Sequence, residues 1–165
     1  MKIILLFLCV FVSVETFSQD HFNVGVNAGI PIGNVEPISG VAFGADVNYL
    51  FDLSLDFVVG PSLGIIYFNP EDEFDAPVFL PISAAFHFRS IDDKFYVGGE
   101  LGYAFSLSDY GDGFFIKPTL GYYLSDSFKI NVFYAGVKTG RPTYGYAGIG
   151  LTFDILGVNG ARYSY

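Results

Sequence analysis

Tyr146–Phe153 reads YAGIGLTF. Its odd positions, Ala147, Ile149, Leu151 and Phe153, are apolar, while Tyr146, Gly148, Gly150 and Thr152 between them are small or carry a hydroxyl. A period of two describes a strand with one greasy face and one that is not. A strand of a water-soluble protein normally shows Lys, Glu or Arg on its wet face, yet no charge appears here before Asp154. Glycine and hydroxyls on the second face suit a crowded barrel interior. The expectation is a small transmembrane β-barrel, closed by this strand, with its odd side toward lipid.

Four of these residues carry a resemblance. Tyr146, Gly148, Leu151 and Phe153 stand as a polar or aromatic residue, a glycine two on, and two alternating hydrophobics. The set resembles the C-terminal assembly signal of bacterial outer-membrane barrels. That resemblance implies recognition by the barrel-insertion machinery. One departure is that twelve residues (165 − 153) follow Phe153, whereas the family pattern usually ends at its aromatic.

The rest of the chain alternates in the same way. Phe22–Ile30, Gly40–Phe51, Leu55–Phe68, Pro77–Arg89, Phe95–Leu107, Gly113–Leu124 and Phe128–Val137 each place large apolar residues on one parity. Gly, Ser, Asn and a few charges take the other. With the closing strand this predicts an all-β fold, an antiparallel up-and-down transmembrane barrel of about eight strands, an even number as closure of such a sheet requires. Long connections (32–39, 69–76, 108–112, 138–143) alternate with short ones (52–54, 90–94, 125–127). Short periplasmic turns and longer outer loops have that arrangement, so both termini are expected in the periplasm. Phe22, Phe51, Phe57, Phe88, Phe95, Tyr122, Phe128 and Phe153 fall at the expected periplasmic ends, and Tyr67, Phe105, Phe114 and Tyr134 at the outer ends. Two interfacial girdles are the expectation. Pro61, Pro81 and Pro118 sit inside predicted strands, where each lacks a ladder N–H, so bulges or kinks are expected there.

Composition agrees with short strands. Aromatics make up 19% of the 165 residues and charged residues 15%, with 20 Gly. No stretch after residue 20 holds 18 consecutive apolar residues, which argues against a spanning helix in the mature chain. The start reads differently. Lys2, an apolar run Ile3–Val14, and Thr16-Phe17-Ser18 ahead of Gln19 describe a secretory signal peptide over 1–18. The barrel domain is then 19–156, and 157–165 is a short periplasmic C-terminal tail. The one cysteine, Cys9, lies within the signal, so the mature chain has no disulfide or thiolate metal site. The net charge of −9 is unchanged by losing Lys2 and Glu15, and it disfavours nucleic acid, whose phosphates need Lys and Arg.

The whole mature chain resembles the outer-membrane protein β-barrel domain family, the PorT-like group of small barrels. The carrying stretches are Asn-Val-Gly-Val-Asn-Ala-Gly (23–29), Gly98-Gly99-Glu100-Leu101-Gly102-Tyr103 and Lys117-Pro118-Thr119-Leu120-Gly121-Tyr122. The resemblance implies a fold and a place in the envelope, and no catalytic residue carries over.

Candidate functional residues are few. Asp46, Arg89, Glu100, Lys117 and Lys129 share the inward parity and are expected to form a polar network. A charge inside a narrow barrel needs a partner or water. Such a network fixes strand register, or, on a second reading, passes ions or protons. Glu71, Asp72, Glu73 and Asp75 crowd one outer loop and could bind a divalent cation, though their order is not that of an EF-hand. His87 points inward with no Ser–acid set beside it, so no catalytic constellation and no cofactor are expected. The expected function is a non-catalytic, monomeric envelope barrel with a structural or interaction role, in contact with outer-membrane lipid and lipopolysaccharide. The alternatives are a narrow pore for small solutes or ions, and a soluble periplasmic ligand binder of lipocalin type.

Overall fold

A computed structural model describes residues 20–33, 39–70, 75–90, 94–140 and 143–156. The segments expected as signal peptide and C-terminal tail lie outside the described residues. Eight strands follow one another: β1 (Asp20–Gly33), β2 (Ser39–Asp52), β3 (Phe57–Pro70), β4 (Val78–Arg89), β5 (Phe95–Ser106), β6 (Gly113–Tyr123), β7 (Phe128–Lys138) and β8 (Thr143–Asp154). Each pairs antiparallel with its neighbours in sequence, and β1 pairs with β8 to close an up-and-down barrel. Closure removes every sheet edge. The last link is the Ile155 N–H to the Phe22 carbonyl at 2.7 Å.

Parity sorts the side chains. Val26, Leu63, Ile82, Leu101, Leu120 and Ile149 point outward and are exposed. Between the strand ends outward positions carry no charge; the exceptions by parity are Asp20, the first residue of β1, and Lys138, the last residue of β7. At the end that holds the termini and the short turns, each strand contributes one aromatic to a complete outward ring: Phe22, Phe51, Phe57, Phe88, Phe95, Tyr122, Phe128 and Phe153. Neighbouring members touch in the ladder, Phe57 stacking on Phe88 at 4.4 Å and Phe95 meeting Tyr122 edge-on at 4.9 Å. At the other end Tyr67, Phe105, Phe114 and Tyr134 come from β3, β5, β6 and β7 only. We call these the turn end and the loop end.

Two expectations are corrected. The prolines bring neither bulge nor slip. Ladder pairs are missing beside Pro61 on the β2 side, beside Pro81 on the β3 side and beside Pro118 on the β7 side, each gap two pairs long with the register unchanged across it. On its other side each proline stays paired, with Ala84, Ala104 and Gly99 respectively. A proline lacks a donor toward one neighbour only, so a ladder anchored above and below absorbs the loss. The β2–β3 register shift lies at Ser39/Val41, far from any of the three. The connections also differ less than the sequence suggests. β1 runs on through Pro31–Gly33, paired with Tyr144–Tyr146, and β3 runs to Pro70. Three loop-end connections shrink, to 34–38, 71–77 and 139–142, while the fourth lengthens by one residue to 107–112; the turns are 53–56, 90–94 and 124–127. Pro31 costs no pairing with β2, because the β1–β2 ladder already ends at Gly29↔Ala42.

Candidate functional site

The lumen is the part of the barrel with chemistry in it. Its width is set by pairing large inward residues with glycines on the next strand. His87 stands opposite Gly98, Tyr96 opposite Gly121, Phe133 opposite Gly148, and Asp46 between Gly25 and Gly64. A Cβ on Gly121 would overlap the Tyr96 ring, so this glycine is what admits the tyrosine.

Toward the loop end the lumen is apolar. Phe68, Phe79, Phe115, Phe133, Tyr144 and Tyr146 are buried there with Ala42, Ile66 and Val137. The rings lie edge-on or tilted, Phe79 against Tyr144 at 5.1 Å and Phe133 against Tyr146 at 5.1 Å. Tyr110, from the 107–112 connection, covers Tyr144 at 5.7 Å and gives its hydroxyl proton to the Asp75 carbonyl.

Below this plug lies a first polar layer. Lys117 Nζ reaches Asp46 Oδ2 at 2.8 Å and Glu100 Oε1 at 3.0 Å. Ser83 donates to Glu100 Oε2 at 2.8 Å, and Asn27 Nδ2 to Asp46 Oδ2 at 3.0 Å. The Tyr146 hydroxyl donates to Asn27 Oδ1 at 2.6 Å, which ties plug to layer. A second layer closes the turn end. Lys129 Nζ donates to Asn23 Oδ1 at 2.8 Å and stands 3.8 Å from Asp154 Oδ2. Asn23 in turn donates to Asn48 at 2.9 Å. Arg89 Nη2 donates to Asp52 Oδ1 at 2.8 Å and lies 3.0 Å from His21 Nε2. A guanidinium only donates, so His21 Nε2 accepts, and Nδ1 carries the proton that it gives to Asp154 at 2.5 Å. Thus β1, β2, β4, β7 and β8 are bound across the mouth.

The space between the layers is about 20 Å³, beside His87, Tyr96, Thr119 and Asn131. That is room for about one water. His87 meets Tyr96 ring to ring at 4.7 Å.

The five residues of the expected network therefore divide. Asp46, Glu100 and Lys117 come together in one layer, while Arg89 and Lys129 belong to the other. Arg89 does not serve Glu100, because Glu100 pairs with Ala85 and Arg89 with Tyr96, four residues away along each strand. Sequence reasoning missed His21, Asn23, Asp52 and Asp154, and the plug residues Phe68, Phe79, Phe115 and Tyr144, although all share the inward parity. Glu71, Asp72 and Glu73 lie outside the described residues, and Asp75 is exposed. Among the described residues no three His, Cys, Asp or Glu gather as metal ligands. The assembly-signal residues part company: Tyr146 is buried in the plug and Gly148 faces Phe133, while Leu151 and Phe153 are exposed outward.

No family model matches the chain, and no curated protein matches it. Solved structures do. The attachment invasion locus protein Ail of Yersinia pestis aligns at TM-score 0.60 and 16% identity, over 84% of this chain and 100% of that one. A complex of Ail with the heparin analogue sucrose octasulfate aligns at 0.52 and 17%, over 84% and 100%. The N-terminal β-barrel domain of Pseudomonas aeruginosa OprF aligns at 0.54 and 18%, over 83% and 100%. The chain has the fold of these small eight-stranded outer-membrane barrels.

Proposed function

We propose that the chain is an integral outer-membrane barrel of the PorT-like kind, non-catalytic and non-conducting, whose work is done at the envelope surface by its loop end. The observation that carries this reading is the filled lumen: an aromatic plug above, two bonded polar layers below, and about 20 Å³ between them. A barrel of eight strands is just wide enough for side chains to fill it. The outward face, free of charge between the strand ends, with its complete aromatic ring supports insertion in lipid. It speaks against a lipocalin-type binder, which would turn these large residues inward around a ligand cavity. Residues 1–18 act as the export signal, 19–156 as the barrel and 157–165 as a periplasmic tail. Leu151 and Phe153 are the part of the assembly signal available to insertion machinery on the outer face.

The sulfate-rich ligand of the Ail complex does not transfer. The loop-end connections hold Glu36, Glu71, Asp72, Glu73, Asp75, Asp109 and Asp112 against Arg141, with Lys138 at the adjoining end of β7. A polyanion needs Lys and Arg clusters, so a partner of this end is neutral or cationic.

Purified protein in a planar bilayer should give no conductance steps. Steps of uniform size in the unaltered protein would overturn the non-conducting reading. Orientation is tested separately. A cleavable tag after Asp72 should be cut on intact cells, and one after Asp126 should be protected.

A further inference from the structure

Two of the turn-end connections are built alike. In 53–56 the Leu53 and Ser54 N–H groups both donate to the Phe57 carbonyl, at 2.9 and 3.2 Å, and the Asp56 carbonyl accepts the Arg89 N–H at 2.7 Å. In 124–127 the Leu124 and Ser125 N–H groups both donate to the Phe128 carbonyl, at 2.9 and 3.1 Å, and the Ser127 carbonyl accepts the Asp154 N–H at 2.8 Å. Residues of the two turns therefore correspond: Leu53 to Leu124, Ser54 to Ser125, Leu55 to Asp126, Asp56 to Ser127 and Phe57 to Phe128. Leu, Ser and Phe are common to both. The third position is not, and since Asp126 serves there in one turn, the turn's geometry does not ask for the apolar Leu55 in the other. Yet Leu55 is 91% exposed, and Leu53 beside it is 63% exposed. Leu53 lies two residues beyond the ring member Phe51, and Leu55 two residues before the ring member Phe57, so the pair adds one more row to the outward columns of β2 and β3. On β7, four strands from β3 in a ring of eight and hence on the opposite side, the matching place holds Asp126. The apolar band thus reaches further past the aromatic ring at β3 than at β7.

We propose that the β2–β3 turn is a membrane anchor: Leu53 and Leu55 dip into the lipid leaflet at the turn end, while the β6–β7 turn stands in water. It rests on the reading that the outward face meets a bilayer, and it goes further in setting where that bilayer ends on each side of the barrel. Lipid is the fitting occupant because the two leucines continue the outward columns without a break. Their neighbouring acids, Asp52 and Asp56, fall on the other parity, and Arg89 holds Asp52 inward at 2.8 Å. A protein partner fits less well, since a stable interface covers roughly 800 Å² a side, far more than a tip of two leucines offers. The backbone bonds fix the turn in one shape, so the leucines are presented without a further ordering cost.

The chain's one cysteine, Cys9, lies in the proposed export signal, so in the barrel a single introduced thiol carries a single nitroxide label. Ser54→Cys and Ser125→Cys place the label at matching points of the two turns and leave Leu55 and Asp126 untouched. Leu63→Cys, on the outward face in mid-strand, serves as the lipid reference. Each labelled protein is reconstituted in phosphatidylcholine vesicles. Collisions of the label with oxygen, which concentrates in hydrocarbon, are compared with those of a water-soluble nickel chelate. The oxygen-to-nickel ratio at Ser54→Cys should exceed that at Ser125→Cys about tenfold, the factor that burial of one exposed leucine side chain supplies. Leu55→Asp in the Ser54→Cys background should remove that difference. Equal ratios at the two turns, with the Leu63→Cys label in lipid, would overturn the anchor, leave the tip to a protein partner and keep the membrane reading standing. A difference that survives Leu55→Asp would overturn the role given to Leu55. A Leu63→Cys label as open to nickel as that of Ser125→Cys would instead defeat the membrane reading itself.

Discussion

In the loop-end half of the lumen, Phe79 and Phe115 lie buried among apolar neighbours; in the turn-end half, Lys129 and Asp154 lie buried among groups they bond or attract. Both arrangements exclude water from the same tube, but they fail differently. A ring in the plug loses area and leaves a void when truncated, and the loss stays local. A charge in the layers, once its partner goes, is left with a desolvation cost and no compensation. The plug therefore contributes in proportion to its size, and the layers according to whether every member is answered.

Substitutions can break or sharpen this contrast, read as urea unfolding midpoints of the barrel in lipid vesicles. The largest effect belongs to Lys117→Met. It strands two carboxylates, Asp46 and Glu100, where one unpaired charge already costs about 3–5 kcal/mol. A loss below that of any single plug truncation would show that water reaches the layer. Phe79→Ala comes next, at about 3 kcal/mol for a fully buried ring. It should leave the polar layers intact, and a coupled loss in a Phe79→Ala, Lys117→Met double variant would erase the division between the halves. Glu100→Leu should cost less, about 2 kcal/mol, because Lys117 keeps Asp46 and only Ser83 loses its acceptor. An effect as large as that of Lys117→Met would mean that Asp46 alone does not hold the lysine. The smallest effect is expected of His21→Leu, about 1 kcal/mol, at a rim where the ring is partly open to solvent. A much larger loss would move the closure of the barrel from the β1–β8 ladder to this clasp.

Parity was the legible part of the sequence. It separates inward from outward at every strand, and it gives Glu100 its partner, since Lys117 lies directly opposite on the next strand. Contacts across the lumen are not legible in this way. Lys117 meets Asp46, 71 residues away on β2, because barrel stagger brings their heights together, and no local pattern encodes stagger. The same blindness joined Arg89 to Glu100, two residues of correct parity at different heights. The plug was hidden for another reason. Phe68, Phe79 and Phe115 alternate with outward residues that are just as apolar, Tyr67, Leu80 and Phe114, so hydrophobicity alone does not single them out. His21 and Asp154 stand at the margins of their strands, where a residue's parity reads as the edge of a loop.

The proline gaps have a consequence for the chain before it is a barrel. Before closure each strand is unpaired, and an unpaired apolar strand invites its own kind to zip along it. β3, β4 and β6 each carry a proline in mid-strand, so none can offer a copy of itself an unbroken row of donors. The finished fold gives up a ladder bond at each site and keeps its register. A stray intermolecular sheet, with no barrel closure to anchor it on either side of the gap, would lose that bond at every copy added. For a chain exported as proposed above, Pro61, Pro81 and Pro118 would act as gatekeepers of transit, a service to the unfolded chain that the folded barrel records only as three short silences in its hydrogen bonding.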